Sequence, residues 1–396
     1  MRFAPCVSLC FLTTSFPLFS AATDTDQLLL PKANGAFQVG MGTMEMIDKS
    51  RLQLFVPDVQ PRKFMVSLFY PVKSRKPTTP VNYMPPETAA FEDGYLSSNY
   101  SLESPSGTFE KLALQLASDS HKTHISTDFP IVLFSPAEAT TRLFYGVIAQ
   151  TIASSGYIVI TIDAPHDVDI VEYPDGSVDL INATVTAEAA LTSINLAISA
   201  RAQDASFVLD QLCNPSVVSQ LIPGTSKGLN VRKVGMFGHS LGGAATAAAM
   251  LNESRIAGGI AMDGALFGPV VEQGLDKPFM FMADMNRTRT NDNSPDDPFN
   301  SWYDIWANLR GWKLDIMLAN SLHYTFSDYP IVFETLGIVP NATTAEKLLV
   351  TDLNGSRALE IVTTYVTAFF DMVLKCKTSP LLEGPVAAFP EVTFER

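Results

Sequence analysis

The amino-acid sequence predicts an α/β fold with a mostly parallel central sheet, antiparallel strands at its N-terminal edge and helices on both faces. From residue 129 onward, short apolar runs of strand length alternate with longer segments of helical character, which is the pattern of a parallel sheet. Residues 37–72 instead alternate apolar and polar side chains, as antiparallel strands do. We expect one domain over residues 23–396, a length that suits a large α/β domain with insertions.

The individual elements are predicted as follows. Antiparallel strands are expected at residues 37–40, 51–56 and 63–72. Residues 78–128 are rich in Pro, Ser, Thr and Asn and are interpreted as an insertion that covers the core, with one short helix in the stretch FEKLALQLAS at 109–118. Further strands are expected at 130–134, 157–162, 231–237, 256–262, 278–282 and 314–318, and helices at 143–154, 184–212, 243–250 and 359–374. Residues 284–312 are expected to form a loop at the rim of a pocket.

Composition excludes several classes of protein. Of the 396 residues, 46% are hydrophobic and 17% are charged, which describes a globular protein with an ample core. The net charge of −14 leaves no basic stripe that could neutralise phosphates, so a nucleic-acid partner is not expected. His121 and His124 have ligand-like spacing but lie in a polar loop, and no metal-binding or nucleotide-binding motif occurs. We therefore expect neither a metal nor a cofactor.

The N-terminus indicates export. Arg2 precedes a mostly apolar stretch that ends at residues 20–22 (SAA), and charge returns at Asp24. Residues 1–22 are therefore predicted to be a cleaved signal peptide, too short and too rich in Ser and Thr to span a bilayer. N-x-S/T sequons follow and predict a secreted glycoprotein without a transmembrane segment; they lie at Asn99, Asn182, Asn252, Asn286, Asn341 and Asn354.

Cysteine usage fits the same compartment. Cys6 and Cys10 would leave with the signal peptide, so that Cys213 and Cys376 remain of the four cysteines. An oxidising environment permits these two residues one disulfide, although the sequence does not decide whether they pair.

The segment that carries the chemistry is GHSLG at residues 238–242, a G-x-S-x-G motif. It follows the predicted strand 231–237 and precedes the Ala-rich predicted helix 243–250, which is the strand–turn–helix context of a nucleophile elbow. The sharp turn forces the Ser into a strained backbone conformation, and side chains two residues away would collide with the strand or the helix. Ser240 is therefore the candidate nucleophile. The strand order, with the elbow on the fifth main strand, is that of the α/β-hydrolase fold.

A serine hydroxyl needs an adjacent base, and in this fold the partners follow in the order Ser, Asp or Glu, His. Of the five histidines, His323 alone lies after the elbow. It comes shortly after the predicted strand 314–318, and loops at the carboxyl ends of parallel strands carry ligand chemistry. His323 is therefore the candidate general base.

Two residues are candidates for the acid that orients this histidine. Asp263 ends the predicted strand 256–262, and Asp284 follows the predicted strand 278–282. The usual place for the acid is after the second of these strands, which favours Asp284. Asp263 has small neighbours that permit close packing, whereas Asp284 opens a polar loop beside the sequon at Asn286. The residues themselves favour Asp263 and leave Asp284 as the alternative.

Acyl transfer also needs two backbone N–H groups that stabilise the oxyanion. One is expected from Leu241, directly after the nucleophile. The other is expected from the loop SPAEA at residues 135–139, which follows the predicted strand 130–134. Because Pro136 has no N–H, the donor must be Ala137 or Glu138.

These segments resemble those of the secreted, plasma-type platelet-activating factor acetylhydrolases and related fungal hydrolases. The likeness extends along most of the mature chain: MVSLFYPV at 65–72, residues 142–167 with YIVITIDAPHD at their end, GHSLGGA at 238–244, GGIAMDG at 258–264 and LHYTFSDY at 322–329. The resemblance implies that Asp263 is the acid and that Glu138 supplies the second oxyanion N–H. It also implies an esterase that releases short acyl groups from the sn-2 position of phospholipids.

One segment departs from the family pattern. The family usually has His-Gly-Leu-Gly in the oxyanion loop, where this chain has PAEA at residues 136–139. The loss of both glycines stiffens a loop whose backbone must approach the substrate closely. The carboxylate of Glu138 would disfavour an anionic headgroup. The departure leaves the reaction class unchanged and makes a non-lipid ester a second option for the substrate.

Two further residues are candidates for the border of the pocket. His166 lies in the turn DAPHD after a predicted strand, and Trp302 lies in the aromatic stretch 301–312. Each also has a purely structural interpretation, which is a hydrogen-bonded turn for His166 and core packing for Trp302.

The sequence thus predicts a secreted serine carboxylic ester hydrolase, with a role in lipid degradation. Ser240 attacks the acyl carbonyl, His323 acts as base and then as acid, and Asp263 orients the imidazole. The expected substrate is a short-chain acyl ester such as an sn-2 acetyl phospholipid, reached through peripheral contact with lipid. The alternatives are a carboxylesterase or acyltransferase acting on a non-lipid ester such as a secondary metabolite, and a binding protein that kept the fold but lost turnover.

Overall fold

We describe the fold from a computed structural model, which covers residues 27–74, 76–100, 107–118, 127–182, 190–286, 301–338 and 353–395. The strands are β1 Leu28–Leu29, β2 Gln38–Leu52, β3 Pro61–Val72, β4 Thr78–Asn82, β5 Leu112–Ala117, β6 Ile131–Ser135, β7 Ile158–Ile162, β8 Ile170–Glu172, β9 Val178–Leu180, β10 Val234–His239, β11 Ile256–Met262, β12 Phe279–Ala283, β13 Lys313–Leu318 and β14 Val392–Phe394. The α-helices are α1 Pro86–Tyr100, α2 Thr108–Lys111, α3 Gly146–Ser154, α4 Ala190–Leu212, α5 Pro215–Leu221, α6 Leu241–Asn252, α7 Pro269–Gln273, α8 Ser301–Trp306, α9 Tyr329–Leu336 and α10 Gly355–Lys375. Short 3-10 helices lie at Arg142–Tyr145, His323–Phe326 and Pro380–Leu382.

Within the described ranges, nine strands form the central sheet in the spatial order β14-β13-β12-β11-β10-β6-β7-β3-β2. The strands from β13 to β7 pair in parallel. The β2–β3 and β3–β7 pairs are antiparallel. This confirms the predicted mostly parallel sheet with an antiparallel N-terminal edge. The strands β6 and β7 are buried along their whole length, as expected where helices cover both faces.

Two hydrophobic clusters lie on opposite faces of this sheet. One contains Ile148 of α3 and Phe369 of α10, and the other contains Leu209 of α4 and Ala247 of α6. Successive residues of the same strand point into different clusters, since Phe237 of β10 lies in the first and its neighbour in the second. Helices therefore cover both faces, as the sequence predicts.

The insertion at residues 78–128 adds a small sheet to the first of these clusters. Strand β5 pairs in parallel with β1 and antiparallel with β4. The predicted helix over 109–118 is wrong, because only Thr108–Lys111 is helical and Leu112–Ala117 is a strand. Leu112, Leu114 and Leu116 all belong to the first cluster. Their spacing of two is that of a strand, whereas the helix was inferred from the wider spacing between Phe109, Leu112 and Leu116.

Other parts of the structure also differ from the prediction. The strand expected at 51–56 is not a separate element, because residues 51 and 52 end β2 and residues 53–56 are not in a strand. Strand β14 was not predicted; it has three residues and pairs antiparallel with β13 at the far edge. The rim loop expected over 284–312 contains the helix α8, whose Trp302 and Ile305 are buried. Residues 287–300 of that loop lie outside the described residues, as do the predicted signal peptide, His121 and His124.

Cys213 and Cys376, whose pairing the sequence leaves open, do not form a disulfide, because both are free and exposed. Cys213 directly follows α4, which packs on one face of the sheet, whereas Cys376 caps α10 on the opposite face. The sheet therefore separates the two thiols. None of the described helices is long and apolar enough to cross a membrane.

The sequons lie in different environments. Asn252, Asn286 and Asn354 are exposed, and Asn354 also caps α10 by accepting the Arg357 N–H at 2.8 Å. The Asn182 side chain is half-buried and donates to the carbonyl of Phe55. Asn99 belongs to α1, and Asn341 lies outside the described residues. Glycosylation stays a prediction.

Candidate active site

Ser240 lies at the junction of β10 and α6, with φ 53° and ψ −122°. A positive φ is strained for a residue with a side chain, and such strain is common at active sites. A Cβ on Gly238 would lie 2.1 Å from the Gly242 carbonyl oxygen, and one on Gly242 would lie 2.0 Å from the Ser135 carbonyl oxygen. The two glycines of the motif are therefore required by close backbone approach, which is what the sequence pattern predicts.

The candidate base and acid meet beside this turn. Nδ1 of His323 lies 2.5 Å from Oδ2 of Asp263. The Asp263 side chain is 1% exposed, whereas that of His323 is 26% exposed and so remains accessible to a substrate. The ring of His323 lies 4.6 Å from that of His239, the residue next to Ser240, as measured between centroids. The carboxylate, the imidazole and the serine thus belong to one site.

Asp284 supports this arrangement through its backbone. Its N–H donates to Oδ1 of Asp263 at 3.0 Å, while its own carboxylate accepts the Asn286 N–H at 2.8 Å. Both carboxylate oxygens of Asp263 therefore have a partner: Oδ2 contacts the imidazole of His323, and Oδ1 accepts the backbone N–H of Asp284. The carboxylate that contacts the imidazole is that of Asp263. Asp284 contacts Asp263 through its backbone N–H, and its own carboxylate is bonded to the backbone of Asn286.

The turn after Asp263 is held tightly against the elbow. A Cβ on Gly264 would lie 2.0 Å from the Ser240 carbonyl oxygen. The indole Nε1 of Trp302 donates to the Gly264 carbonyl at 2.7 Å. Trp302 is 3% exposed and packs on Phe281 at 4.4 Å between ring centroids. The interpretation of Trp302 as a pocket wall is therefore wrong, because it is a core residue that fixes the turn of the acid.

Two of the backbone N–H groups in the loop at residues 135–139 are hydrogen-bonded within the protein. Pro136 has no N–H, the Ala137 N–H donates to the Tyr145 hydroxyl at 3.2 Å, and the Ala139 N–H donates to the Asp167 carbonyl at 2.9 Å. The Glu138 N–H, between the last two, has no acceptor among the described residues. Leu241 begins α6, where the first N–H groups of a helix lack intrahelical partners. The N–H groups of Glu138 and Leu241 are therefore both candidates for oxyanion donors.

Comparison with known proteins agrees with this geometry. A family model described as "Platelet-activating factor acetylhydrolase, isoform II" matches residues 22–174 and 220–378. The chain belongs to this family. A relative from Arthroderma benhamiae, named a probable 1-alkyl-2-acetylglycerophosphocholine esterase, is 33% identical over 394 residues, which cover 94% of this chain and 95% of the relative.

A solved structure shares the fold of this acetylhydrolase-family protein. The ferulic acid esterase from Streptomyces cinnamoneus superposes with a TM-score of 0.76 and 26% sequence identity, covering 94% of this chain and all of the esterase. Together with the sheet order, this establishes the α/β-hydrolase fold. The protein is an ester hydrolase of the platelet-activating factor acetylhydrolase type.

The side chain of Glu138 gives this acetylhydrolase-family site an unusual charge. It is exposed at the surface of the oxyanion loop. Partial burial of the carboxyl group, and then the nearby Asp167 carboxylate, raise the pKa of Glu138, while Arg201 acts in the opposite direction. An acidic group therefore belongs to the residue whose N–H is the candidate second oxyanion donor.

The His166 imidazole faces the β8–β9 hairpin. Its Nδ1 lies 3.1 Å from the Leu180 carbonyl oxygen, and its Nε2 lies 3.5 Å from an oxygen of Asp179. His166 has a φ of 68°, so its backbone makes the sharp turn after β7. Of the two interpretations of this residue, the contacts support the hydrogen-bonded turn.

Asp328 is a residue to which the sequence analysis assigned no role. Its buried carboxylate accepts the N–H groups of Val147 at 2.7 Å and Ile148 at 3.1 Å, and the hydroxyl of Tyr83 at 2.9 Å. It thereby ties the histidine segment to the start of α3. Burial raises the pKa of Asp328 to about 7, although these donors act to lower it.

The described residues contain no cluster of His, Cys, Asp or Glu suited to a metal ion.

Proposed function

We propose that this ester hydrolase is a secreted serine esterase in which Ser240 is the nucleophile, His323 the general base and Asp263 the orienting acid. The observation that carries the proposal is the 2.5 Å contact between His323 Nδ1 and Asp263 Oδ2 beside the strained backbone of Ser240. Because Nδ1 is occupied by the carboxylate, Nε2 is the nitrogen left for the serine proton. Secretion is proposed from the apolar N-terminal segment and the sequons.

The reaction proceeds through an acyl-enzyme. Ser240 Oγ attacks the acyl carbonyl while His323 takes its proton, and the oxyanion is held by the N–H groups of Leu241 and Glu138. The imidazolium then gives its proton to the departing alkoxide, and the C–O bond of the ester breaks. Water attacks the acyl-enzyme with His323 again as base, the carboxylic acid leaves, and the serine proton returns.

The proposed substrate is a glycerophospholipid with a short sn-2 acyl group. The name of the Arthroderma benhamiae relative, an esterase of 1-alkyl-2-acetylglycerophosphocholine, supports this choice. A phosphocholine headgroup carries a positive as well as a negative charge and no net charge, so it meets less repulsion at Glu138 than an anionic headgroup would. The substrate would be reached by peripheral contact with lipid.

A second candidate is a non-lipid ester of an aromatic or other small acid. The solved structure that shares this fold supports it, since that protein is named a ferulic acid esterase. The oxyanion loop PAEA, which lacks the glycines usual in the acetylhydrolase family, also favours a changed substrate. The same three residues would perform the chemistry.

A panel of esters tests the function and separates the two substrates. The wild type and Ser240→Ala are assayed with 2-acetyl, 2-butyroyl and 2-palmitoyl phosphatidylcholine analogues, an acetyl phospholipid with an anionic headgroup, and methyl ferulate. We expect the highest kcat/KM on the zwitterionic acetyl substrate, a fall with acyl length, and no turnover by Ser240→Ala. Preference for methyl ferulate would replace the lipid assignment with the second candidate. A folded wild type that hydrolyses none of them and is not labelled by a fluorophosphonate would contradict the proposed serine esterase.

A further inference from the structure

The oxyanion loop of this chain has no glycine, yet it must hold one N–H group in a defined position. We propose that Arg201 and Tyr145 are positioning residues that hold this loop from two sides and thereby aim the Glu138 N–H at the oxyanion. The inference rests on the proposed serine esterase function, in which that N–H is used. Neither residue was singled out by sequence reasoning.

Arg201 holds the loop on the side before Glu138. It belongs to α4 and lies 65 positions after Pro136 in the sequence. Its side chain is 2% exposed. Nη1 donates to the Pro136 carbonyl at 2.5 Å and to the Ser135 hydroxyl at 3.1 Å, and Nη2 reaches the Ala137 carbonyl at 3.5 Å. One guanidinium thus binds three successive residues that lead to Glu138.

Asp167 completes the hold on the side after Glu138. Its carboxylate accepts Nε and Nη2 of Arg201 at 2.6 Å and 2.8 Å. Its backbone carbonyl accepts the Ala139 N–H at 2.9 Å. The Arg201–Asp167 ion pair therefore spans Glu138, with one partner bound before it and the other bound after it. All five N–H donors of a guanidinium can be used in such a set, which a lysine could not reproduce.

Tyr145 joins the loop to the elbow. Its hydroxyl accepts the Ala137 N–H at 3.2 Å and lies 2.9 Å from Nδ1 of His239. A hydroxyl has one proton, so while it accepts from Ala137 it can donate that proton to His239 Nδ1. This hydrogen bond also removes the Ala137 N–H from competition for the substrate. The loop is consequently fixed to the residue that precedes the nucleophile.

The consequence concerns the transition state more than substrate binding. Oxyanion donors act only when they are aimed at the position that the oxyanion will occupy, and loss of one costs about 10²- to 10³-fold in kcat. A displacement of about 1 Å has a cost of about 10²-fold. Loosening the loop should therefore lower kcat strongly and change KM little.

The test compares Arg201→Gln, Arg201→Lys and Tyr145→Phe with matched controls whose hydrogen bonds do not include the oxyanion loop. Arg62→Gln breaks a similar buried pair, since Arg62 donates to Asp204 at 2.6 Å and its side chain is 3% exposed. Tyr157→Phe removes a hydroxyl that donates to Asp371 at 2.5 Å. Each variant is assayed for kcat, KM, thermal unfolding and inhibition by a trifluoromethyl ketone, which forms an oxyanion on the serine.

We expect Arg201→Gln to lower kcat by about 10²-fold with KM within a few-fold, and to weaken the ketone in parallel. Arg201→Lys should restore little of the lost kcat. Tyr145→Phe should lower kcat roughly tenfold, which is less than the cost of losing an oxyanion donor altogether. The control variants should lose thermal stability while keeping kcat and ketone affinity.

The proposal is wrong if the Arg201 and Tyr145 variants keep wild-type kcat and ketone affinity, or if the Arg62 and Tyr157 variants lose as much. Tyr145→Phe removes a single hydroxyl, so it decides the matter even if the Arg201 variants do not fold. Failure of the proposed function would look different, because the wild type itself would then neither turn over an ester nor bind the ketone.

Discussion

The nucleophile elbow and the oxyanion loop serve the same reaction centre but are held in place by different means. In the elbow, Gly238 and Gly242 permit backbone contacts that any Cβ would obstruct. The loop at 135–139 has no glycine, and the Arg201 side chain and the Asp167 carbonyl, both distant in sequence, bind it. The elbow is therefore built from local sequence, and the loop depends on long-range contacts.

The two regions meet on neighbouring strands. β10, which leads into the elbow, pairs in parallel with β6, which leads into the loop, and Gly238 is the partner of Ser135. The close approach of Gly242 to the Ser135 carbonyl adds a second contact. A change that displaces the backbone of one region should consequently displace the other.

The largest effect is expected where the elbow meets its acid. Asp263→Asn removes the charge that orients His323 and stabilises its imidazolium, so kcat should fall by about 10⁴-fold. Asp284→Asn keeps the backbone N–H that donates to Asp263, so its loss of kcat should be far smaller. Steady-state kinetics on the acetyl ester measure both. The reverse order of effects would assign the acid to Asp284.

The next effect tests the contact between the two regions. In Gly242→Ala the new Cβ would lie 2.0 Å from the Ser135 carbonyl oxygen, so the oxyanion strand end must move away from the elbow. A displacement of that kind predicts a fall in kcat of about 10²-fold. Gly94→Ala is the matched control, because nothing lies within 4 Å of a Cβ there. Equal activity of the two variants would contradict the tight junction.

A smaller effect is expected from the charge on the oxyanion loop. Glu138→Gln removes the carboxylate and keeps the backbone N–H, so it should change substrate preference through electrostatics. The ratio of kcat/KM for an anionic over a zwitterionic acetyl phospholipid should rise several-fold, and the change should shrink at high salt. An unchanged ratio would show that the headgroup does not pass near Glu138.

The smallest effect concerns a pair of buried acids away from the proposed reaction centre. Glu92 of α1 and Asp169 are both buried, and their carboxyl groups interact electrostatically. The pKa of Glu92 is raised by burial first, then by the Asp169 carboxyl group and by the charge of Asp93. Burial raises the pKa of Asp169 from 3.8 to about 7, and the charge of Asp163 acts in the same direction.

The sign of the pH dependence follows from these shifts. The folded state binds more protons than the unfolded state, so stability is greatest below about pH 4 for this pair and falls as pH rises toward 7. Glu92→Gln should reduce this fall and raise the unfolding temperature at pH 8 relative to the wild type. Thermal unfolding of both proteins from pH 4 to 8 measures it, and parallel pH profiles would contradict the assignment.

Local patterns explain how much of this molecule could be predicted. The parallel strands and the elbow could be predicted because burial on both faces and close backbone approach leave direct marks in the sequence. His323 could be predicted from the short supply of histidines. The positions of Asp263 and Asp284 relative to that imidazole depend on how adjacent strand ends pack, so the residues alone left both open.

Features held by distant residues could not be predicted. Arg201 binds the Pro136 carbonyl across 65 positions of sequence, and nothing near either residue indicates that contact. Trp302 has an apolar spacing that fits packing or a pocket wall, and only the hydrogen bond to Gly264 decides between them. Whether Cys213 and Cys376 pair could not be decided for a related reason, because the sheet lies between them and their spacing in the sequence does not show this.

The most direct test of the central claim is to map the covalent adduct of a fluorophosphonate by peptide mass spectrometry. The account predicts one adduct, on the peptide that contains Ser240, with no labelling of Ser240→Ala and much slower labelling of His323→Ala. An adduct on another residue, or undiminished labelling of folded Ser240→Ala, would contradict the assignment of Ser240 as the nucleophile.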